Sequence, residues 1–145
     1  MWKKNDDWFW EGNVQEKLAK HFENQGYRVI VANTLSKSRG IDILAQRDTD
    51  EILIEVKGYP SDKYVDGINQ GQAKRTSSTL QARHWFSDAF FSVIRRKYKS
   101  QKSSVAIGLP ESPRYLKLIE EAKWALEKLE IRIFIVTETG EVYEK

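Results

Sequence analysis

The chain has 145 residues, of which 40% are hydrophobic and 12% aromatic, which is typical of one folded domain spanning residues 1–145. It contains no cysteine, which excludes disulfide bonds, thiolate metal sites and cysteine nucleophiles. No apolar stretch has the length of a membrane span, and the first residues lack the apolar core of a signal peptide. We therefore expect a soluble, cytoplasmic protein with no membrane partner.

The positive charge of the chain is concentrated in its middle. The formal net charge is +3, but residues 57–102 contain ten Lys and Arg residues and three Asp, a local balance of +7. Such a segment fits a surface that binds a polyanion. A solvated helix with cations near its C-terminus fits equally well, so the charge alone does not decide between the two.

The first half of the chain predicts one helix followed by three strands. Apolar residues recur at helical spacing over residues 13–25, and Gly26 marks the end of that helix. Strand-like segments follow at 27–33, 41–46 and 51–57. The turn between the last two strands is short, which predicts a β-hairpin.

The second half of the chain predicts alternating helices and strands. We expect a long helix at 79–99, a buried strand at 103–110, a helix at 113–129 and a core strand at 131–136, with a closing hairpin suggested by residues 140–143. Two late strands separated by one helix favour a parallel β-α-β unit with a right-handed crossover. The order α-β-β-β-α-β-α-β therefore predicts an α/β fold with a mixed sheet flanked by helices.

The predicted hairpin carries charged residues in apolar surroundings. Asp42 lies between Ile41 and Ile43, and Glu55 and Lys57 occupy alternate positions at the end of an apolar strand. Alternate side chains of a strand share a face, so Glu55 and Lys57 point the same way, and the tight hairpin can bring Asp42 beside Glu55. Neighbouring carboxylates repel each other, and a divalent cation such as Mg²⁺ or Mn²⁺ removes that repulsion.

Two interpretations of this hairpin remain open on the residues alone. In the first, the peptide carbonyl of Val56 supplies a further metal ligand, and Lys57 stands beside a metal-bound water and a scissile phosphate. In the second, the hairpin is a surface element with a cross-strand ion pair between Asp42 and Lys57, a common and weakly stabilising contact.

Residues 12–58 contain a helix acid, a G-x-D segment and an E-x-K segment in that order, and this favours the first interpretation. The segments are Gly12-Asn13-Val14-Gln15-Glu16, Gly40-Ile41-Asp42-Ile43 and Glu55-Val56-Lys57. In this order the chain resembles the PD-(D/E)xK nuclease superfamily, nearest to its branch of archaeal Holliday-junction resolvases and Mrr-like restriction endonucleases. Ile41 replaces the proline of the family name, a frequent substitution in that family.

The resemblance implies a restriction-endonuclease-like fold and Mg²⁺-dependent hydrolysis of DNA phosphodiester bonds, with no small-molecule cofactor. It implies that Asp42 and Glu55 bind the metal and that Lys57 orients or activates the attacking water. It also implies that Glu16 is an accessory ligand or acts through water. Helical periodicity alone makes Glu16 a solvent residue, because it lies about 200° around the helix from Val14.

Six residues are candidates for contact with DNA. They are Ser38, Arg39, Lys74, Arg75, Gln81 and Arg83. Gln81 shares a helix face with Trp85, four residues later, and some family members place a glutamine and an aromatic residue in this way near the active site. For any one of the helix residues, an ordinary surface position is the alternative.

DNA is the expected partner, and a homodimer is possible because many family members act as two-fold dimers on two-fold DNA. The alternative function is a non-catalytic nucleic-acid-binding or interaction subunit that retains the nuclease fold. In the interaction subunit, the aromatic residues near the start of the chain would dock a partner: Trp2, Trp8, Phe9 and Trp10.

Overall fold

The computed structural model describes residues 7–31, 40–61, 72 and 77–145. These residues form a mixed β-sheet flanked by helices, which confirms the predicted fold class. The helices are α1 (Glu11–Asn24), α2 (Ser78–Lys99) and α3 (Pro113–Lys128). The strands are β1 (Arg28–Val31), β2 (Ile43–Arg47), β3 (Asp50–Val56), β4 (Ser104–Pro110), β5 (Ile131–Val136) and β6 (Val142–Glu144). Strand β6 is the return strand of the suggested closing hairpin.

The order of the strands in the sheet follows their order in the chain, from β1 to β6. The pairs β1/β2, β2/β3 and β5/β6 are antiparallel, as expected for strands joined by short turns. The pairs β3/β4 and β4/β5 are parallel, and each is joined through a helix. The predicted β2–β3 hairpin and the late β-α-β unit are both confirmed.

The sheet has a buried layer on each face, and β3 contributes to both. Ile52, Ile54 and Val56 pack in the cluster that contains the apolar stripe of α1, and Leu53 packs against the cluster that contains α2 and α3. Because side chains alternate along a strand, the residues of β3 in phase with Leu53 point toward α2. The face of β3 that carries Glu55 is therefore the face covered by α2.

Helix α2 runs antiparallel to β3. Its cap, Ser77, accepts a hydrogen bond from the backbone N–H of Leu80 at 3.3 Å, which fixes where the helix starts. The last turn of α2 leads to Ser103, whose hydroxyl donates to Glu51 near the start of β3 at 2.6 Å. The first half of α2 therefore lies toward the carboxyl end of β3. None of the described helices is both long and apolar enough to cross a membrane.

Candidate active site

Asp42 directly precedes β2 and lies beside Glu55 of β3 in the hairpin that these two strands form. Ile43 pairs with Ile54 in the antiparallel register, and one further step places Asp42 opposite Glu55. The Oδ2 atom of Asp42 accepts a hydrogen bond from the backbone N–H of Val56 at 2.8 Å. The structure therefore brings the two predicted carboxylates to the same end and the same face of the sheet.

A third acid, Glu11, joins this pair from the first turn of α1. Burial and the negative charge of Asp42 raise the pKa of Glu11 to about 7; Lys57 opposes this increase and Glu55 adds to it. One helical turn after Glu11, the buried side chain of Gln15 donates a hydrogen bond to the backbone carbonyl of Asp42 at 2.9 Å. Helix α1 therefore supplies both a charge to the acid pair and a contact that positions Asp42.

The helix acid beside the pair is Glu11 rather than the predicted Glu16. Helix α1 begins at Glu11, two residues before the predicted start, so an acid stands in its first turn. Glu16 is exposed, and five residues of helix rotate it about 140° away from Glu11. Its solvent position agrees with the helical periodicity, and the accessory role that the family resemblance implied stays a prediction.

The segment after Lys57 holds the beginning of α1 in place. The backbone N–H of Tyr59 donates to the carbonyl of Phe9 at 2.8 Å, and the hydroxyl of buried Tyr115 donates to the carbonyl of Gly58 at 2.7 Å. A Cβ atom at Gly58 would lie 2.3 Å from the Phe9 carbonyl oxygen, so only glycine fits this approach. The Phe9 ring also stacks on Trp8 with their centroids 4.3 Å apart.

Glu55 is half-buried between the sheet and α2. Its Oε2 atom accepts a hydrogen bond from the hydroxyl of Ser92 at 3.1 Å. Burial and the charge of Asp42 raise the pKa of Glu55 to about 7, against the opposing effects of Lys57 and Ser92. Burial also raises the pKa of Asp42, although its bond from Val56 and the nearby cations lower it in part. Both acids therefore bind a proton more tightly than an exposed carboxylate does.

Lys57 pairs with Asp88 of α2, and not with Asp42 as the surface-hairpin interpretation predicts. The Lys57 Nζ and Asp88 Oδ2 atoms lie 2.8 Å apart, and the side chains are 18% and 69% exposed. Burial lowers the pKa of Lys57, but the hydrogen bond and charge of Asp88 outweigh it, and Glu55 and Glu11 raise the pKa further. Lys57 is therefore a firmly held cation next to the acids.

Helix α2 contributes three residues to this site that the sequence did not predict. Asp88, Ser92 and Arg96 recur every four residues, so they share one face of the helix. Asp88 contacts Lys57, Ser92 contacts Glu55, and the positive charge of Arg96 acts on Asp42. The four-residue spacing was visible in the sequence, but the strand that this face covers was not.

The candidate DNA contacts are only partly described by the structure. Ser38, Arg39, Lys74 and Arg75 lie outside the described residues. Gln81 is seven residues before Asp88, which places it about 20° around the helix and about 10 Å along its axis from that residue. Arg83 is exposed and about 140° around the helix from Asp88. Gln81 therefore lies on nearly the same face of α2 as Asp88, two turns away, and Arg83 lies on a different face.

The donor atoms at the site are carboxylate oxygens, the type that Mg²⁺ and Mn²⁺ prefer. Within the described ranges, no group of three or more Asp, Glu, His or Cys side chains is close enough to hold a metal ion. Asp42 and Glu55 therefore form a pair of candidate ligands, with Glu11 close enough to act on them through its charge.

Comparisons with known proteins agree with this fold. No family model matches the chain. A UPF0102 protein from Sulfurihydrogenibium sp. (strain YO3AOP1) is 29% identical over 66 residues, which are 46% of this chain and 54% of that protein, so the chain spans about half the length of this curated relative. The crystal structure of an XisH family protein from Nostoc punctiforme PCC 73102 has 16% identity and a TM-score of 0.53, covering 90% of this chain and 96% of that one. At the level of fold, the chain is similar to restriction-endonuclease-like proteins.

Proposed function

We propose that this chain is a metal-dependent nuclease that hydrolyses DNA phosphodiester bonds. The observation that carries the proposal is the placement of Asp42 opposite Glu55, with Lys57 directly after β3 and in contact with α2, as Glu55 is. Two half-buried carboxylates that repel each other lower the stability of the fold unless a cation or a proton binds between them. Acids with raised pKa values next to a lysine that is held in place are typical of catalytic sites, because catalysis needs such groups even where they reduce stability.

The donor set fits Mg²⁺ or Mn²⁺. Mg²⁺ is commonly held by one or two carboxylates together with water and substrate phosphates. Asp42 and Glu55 would supply the carboxylates. The carbonyl of Val56 is a further candidate, because its N–H already faces Asp42 and both backbone groups of a strand residue face the same neighbour. When bound, the metal polarises the phosphate and lowers the pKa of the attacking water.

The residues around the acids keep them and Lys57 in position. Gln15 holds the backbone of Asp42, and Ser92 holds the carboxylate of Glu55. Asp88 holds the ammonium group of Lys57 at 2.8 Å. In the proposed reaction Lys57 orients the attacking water and offsets the negative charge that develops on the phosphate.

Cleavage assays on a panel of DNA substrates test this function. We expect the purified protein to cleave at least one of a junction, a flap, a linear duplex and a supercoiled plasmid with Mg²⁺ or Mn²⁺, and none with EDTA. Asp42→Asn and Lys57→Met should each reduce the rate by about 100-fold or more, the size of effect seen when one electrostatic group of an active site is removed. Glu16→Gln is the matched control, since Glu16 is exposed. Equal residual cleavage by the wild type and Asp42→Asn would refute the proposal.

One observation favours a second candidate, a nucleic-acid-binding protein that does not cleave. No group of three possible ligands converges among the residues that the structure describes. For this candidate we expect DNA binding that is unchanged by EDTA and no cleavage with any divalent metal. The same panel, read by both binding and cleavage, distinguishes the two candidates.

A further inference from the structure

Helix α2 carries a pocket next to the acid pair, with a volume of about 370 Å³. In the part of the chain that the structure describes, its lining residues are Asp88, Phe91, Ser92, Arg95, Arg96 and Lys99. The side chain of Phe91 is 61% exposed, although phenylalanine is among the residues most often buried. An exposed aromatic ring at a polar pocket is a feature that neither the core nor the acid pair accounts for.

The charge of the pocket fits an anionic ligand. Among the described lining residues, Arg95, Arg96 and Lys99 are cations, and Asp88 is an acid that already pairs with Lys57. Arg95 is four residues after Phe91, so the two side chains are neighbours on the helix surface. A cation beside an exposed aromatic ring is typical of surfaces that bind single-stranded nucleic acid, where bases stack on the ring and cations contact phosphates.

The pocket is continuous with the acid site. Ser92 lines the pocket and also donates a hydrogen bond to Glu55 at 3.1 Å. Asp88 lines it and holds Lys57 at 2.8 Å. A nucleotide bound in the pocket would therefore lie within a few ångströms of the groups proposed to act on the phosphate.

We propose that this pocket binds an unpaired nucleotide of the substrate, with the base against Phe91 and the neighbouring phosphates against Arg95, Arg96 and Lys99. The inference rests on the proposed nuclease function and narrows its substrate class. A base within an intact duplex is stacked on both sides and cannot reach Phe91. DNA with an unpaired nucleotide near the scissile bond, such as a flap or a single strand, is the class that fits.

Binding measured without cleavage tests the pocket directly. Fluorescence anisotropy in EDTA should compare a labelled single-stranded oligothymidylate with a duplex of equal length. Phe91→Ala and Phe91→Leu should weaken single-strand binding by about 5- to 150-fold, the range for loss of one stacking ring, with little effect on the duplex. Tyr98→Ala is the matched control: Tyr98 is an 80% exposed aromatic residue of α2 outside the pocket, and its loss should change neither affinity.

The phosphate contacts have their own measurement. Lys99→Ala should reduce the slope of log affinity against log salt concentration for the single strand by about 0.7, the value for one phosphate contact. Wild-type affinity of Phe91→Ala for the single strand, or an equal loss for single strand and duplex, would overturn the inference. Thermal unfolding should show that both Phe91 variants fold.

Failure of the inference and failure of the nuclease function give different results. Metal-dependent cleavage together with DNA binding that does not depend on Phe91 would refute the nucleotide pocket and support the nuclease function. Binding that depends on Phe91 without cleavage of any substrate would support the pocket and refute the nuclease.

Discussion

Two glutamates of β3, Glu51 and Glu55, share one face of the strand but have opposite electrostatic environments. Glu51 accepts hydrogen bonds from Ser103 at 2.6 Å and from Gln46 at 2.9 Å, and these neutral donors hold its pKa below the usual range. The donors satisfy the ionised form, so this charge contributes to the fold without a further partner.

The environment of Glu55 favours the protonated form instead. Glu55 is half-buried opposite Asp42, and its pKa rises to about 7. The bond from Ser92 lowers the pKa but does not offset burial and the second acid. Residue type and strand face are therefore the same for the two glutamates, and the surroundings differ. Glu55 is the candidate metal ligand because burial and Asp42 outweigh the groups that stabilise its ionised form.

The largest expected difference between the two glutamates is in cleavage. Glu55→Gln should reduce Mg²⁺-dependent cleavage by about 100-fold or more, because it removes one of the proposed carboxylate ligands. Glu51→Gln, the matched variant four residues earlier, should leave the rate unchanged. Initial rates on the substrate that the wild type cleaves best provide the measurement. Equal losses in both variants would mean that the site does not depend on Glu55 in particular.

A smaller difference is expected in the response of stability to Mg²⁺. A ligand that binds only the folded state adds about 2.7 kcal/mol at a concentration one hundred times its Kd. Mg²⁺ should therefore raise the Tm of the wild type and of Glu51→Gln at pH 8, but not that of Glu55→Gln. Differential scanning fluorimetry measures the shift, with Ca²⁺ and NaCl as ionic controls. A rise in Tm for Glu55→Gln equal to that of the wild type would mean that Mg²⁺ does not bind at Glu55.

The smallest expected difference is in the pH dependence of stability without divalent ions. The pKa of Glu55 is raised by folding, so its contribution to stability is fully present below pH 4.5 and is lost as pH rises through about 7. Glu55→Gln should therefore stabilise the protein at pH 8, on the order of 1 kcal/mol, and have little effect at pH 5.

Glu51 should behave in the opposite way. Its pKa is lowered by folding, so its contribution is present above the unfolded pKa and is lost as pH falls through the folded pKa. Glu51→Gln should therefore destabilise the protein at neutral pH, and the difference should shrink in acid. Urea unfolding at several pH values measures both variants. The same pH profile for the two would contradict the comparison.

The sequence predicted the local part of the site and missed the part that comes from distant elements. Strand alternation placed Glu55 and Lys57 on one face, and the short hairpin placed Asp42 beside them. Asp88 is 31 residues from Lys57, and Ser92 is 37 residues from Glu55. Periodicity identifies which residues share a helix face, but it does not say which strand that face covers.

The sequence did not predict Glu11 beside the acid pair, and the reason is the position at which α1 begins. Sequence signals for the start of a helix depend on a capping side chain, and the residue before α1 is Trp10, whose side chain makes no capping hydrogen bond. The apolar periodicity of the sequence therefore predicts a start at residue 13. With that start, Glu11 falls outside the predicted helix, and the acid that matches the family pattern is Glu16.

The contact between Phe9 and Tyr59 has a consequence for the order of events in folding. Residues 42 and 55 belong to one hairpin, a local structure that forms within microseconds in isolated examples. Glu11 joins them only when chain segments fifty residues apart have met, and closing such a loop costs more entropy than closing a hairpin. During refolding the acid pair should therefore be assembled before the third charge arrives. Recovery of the proposed nuclease activity should then follow the docking of α1, because Gln15 of that helix positions Asp42.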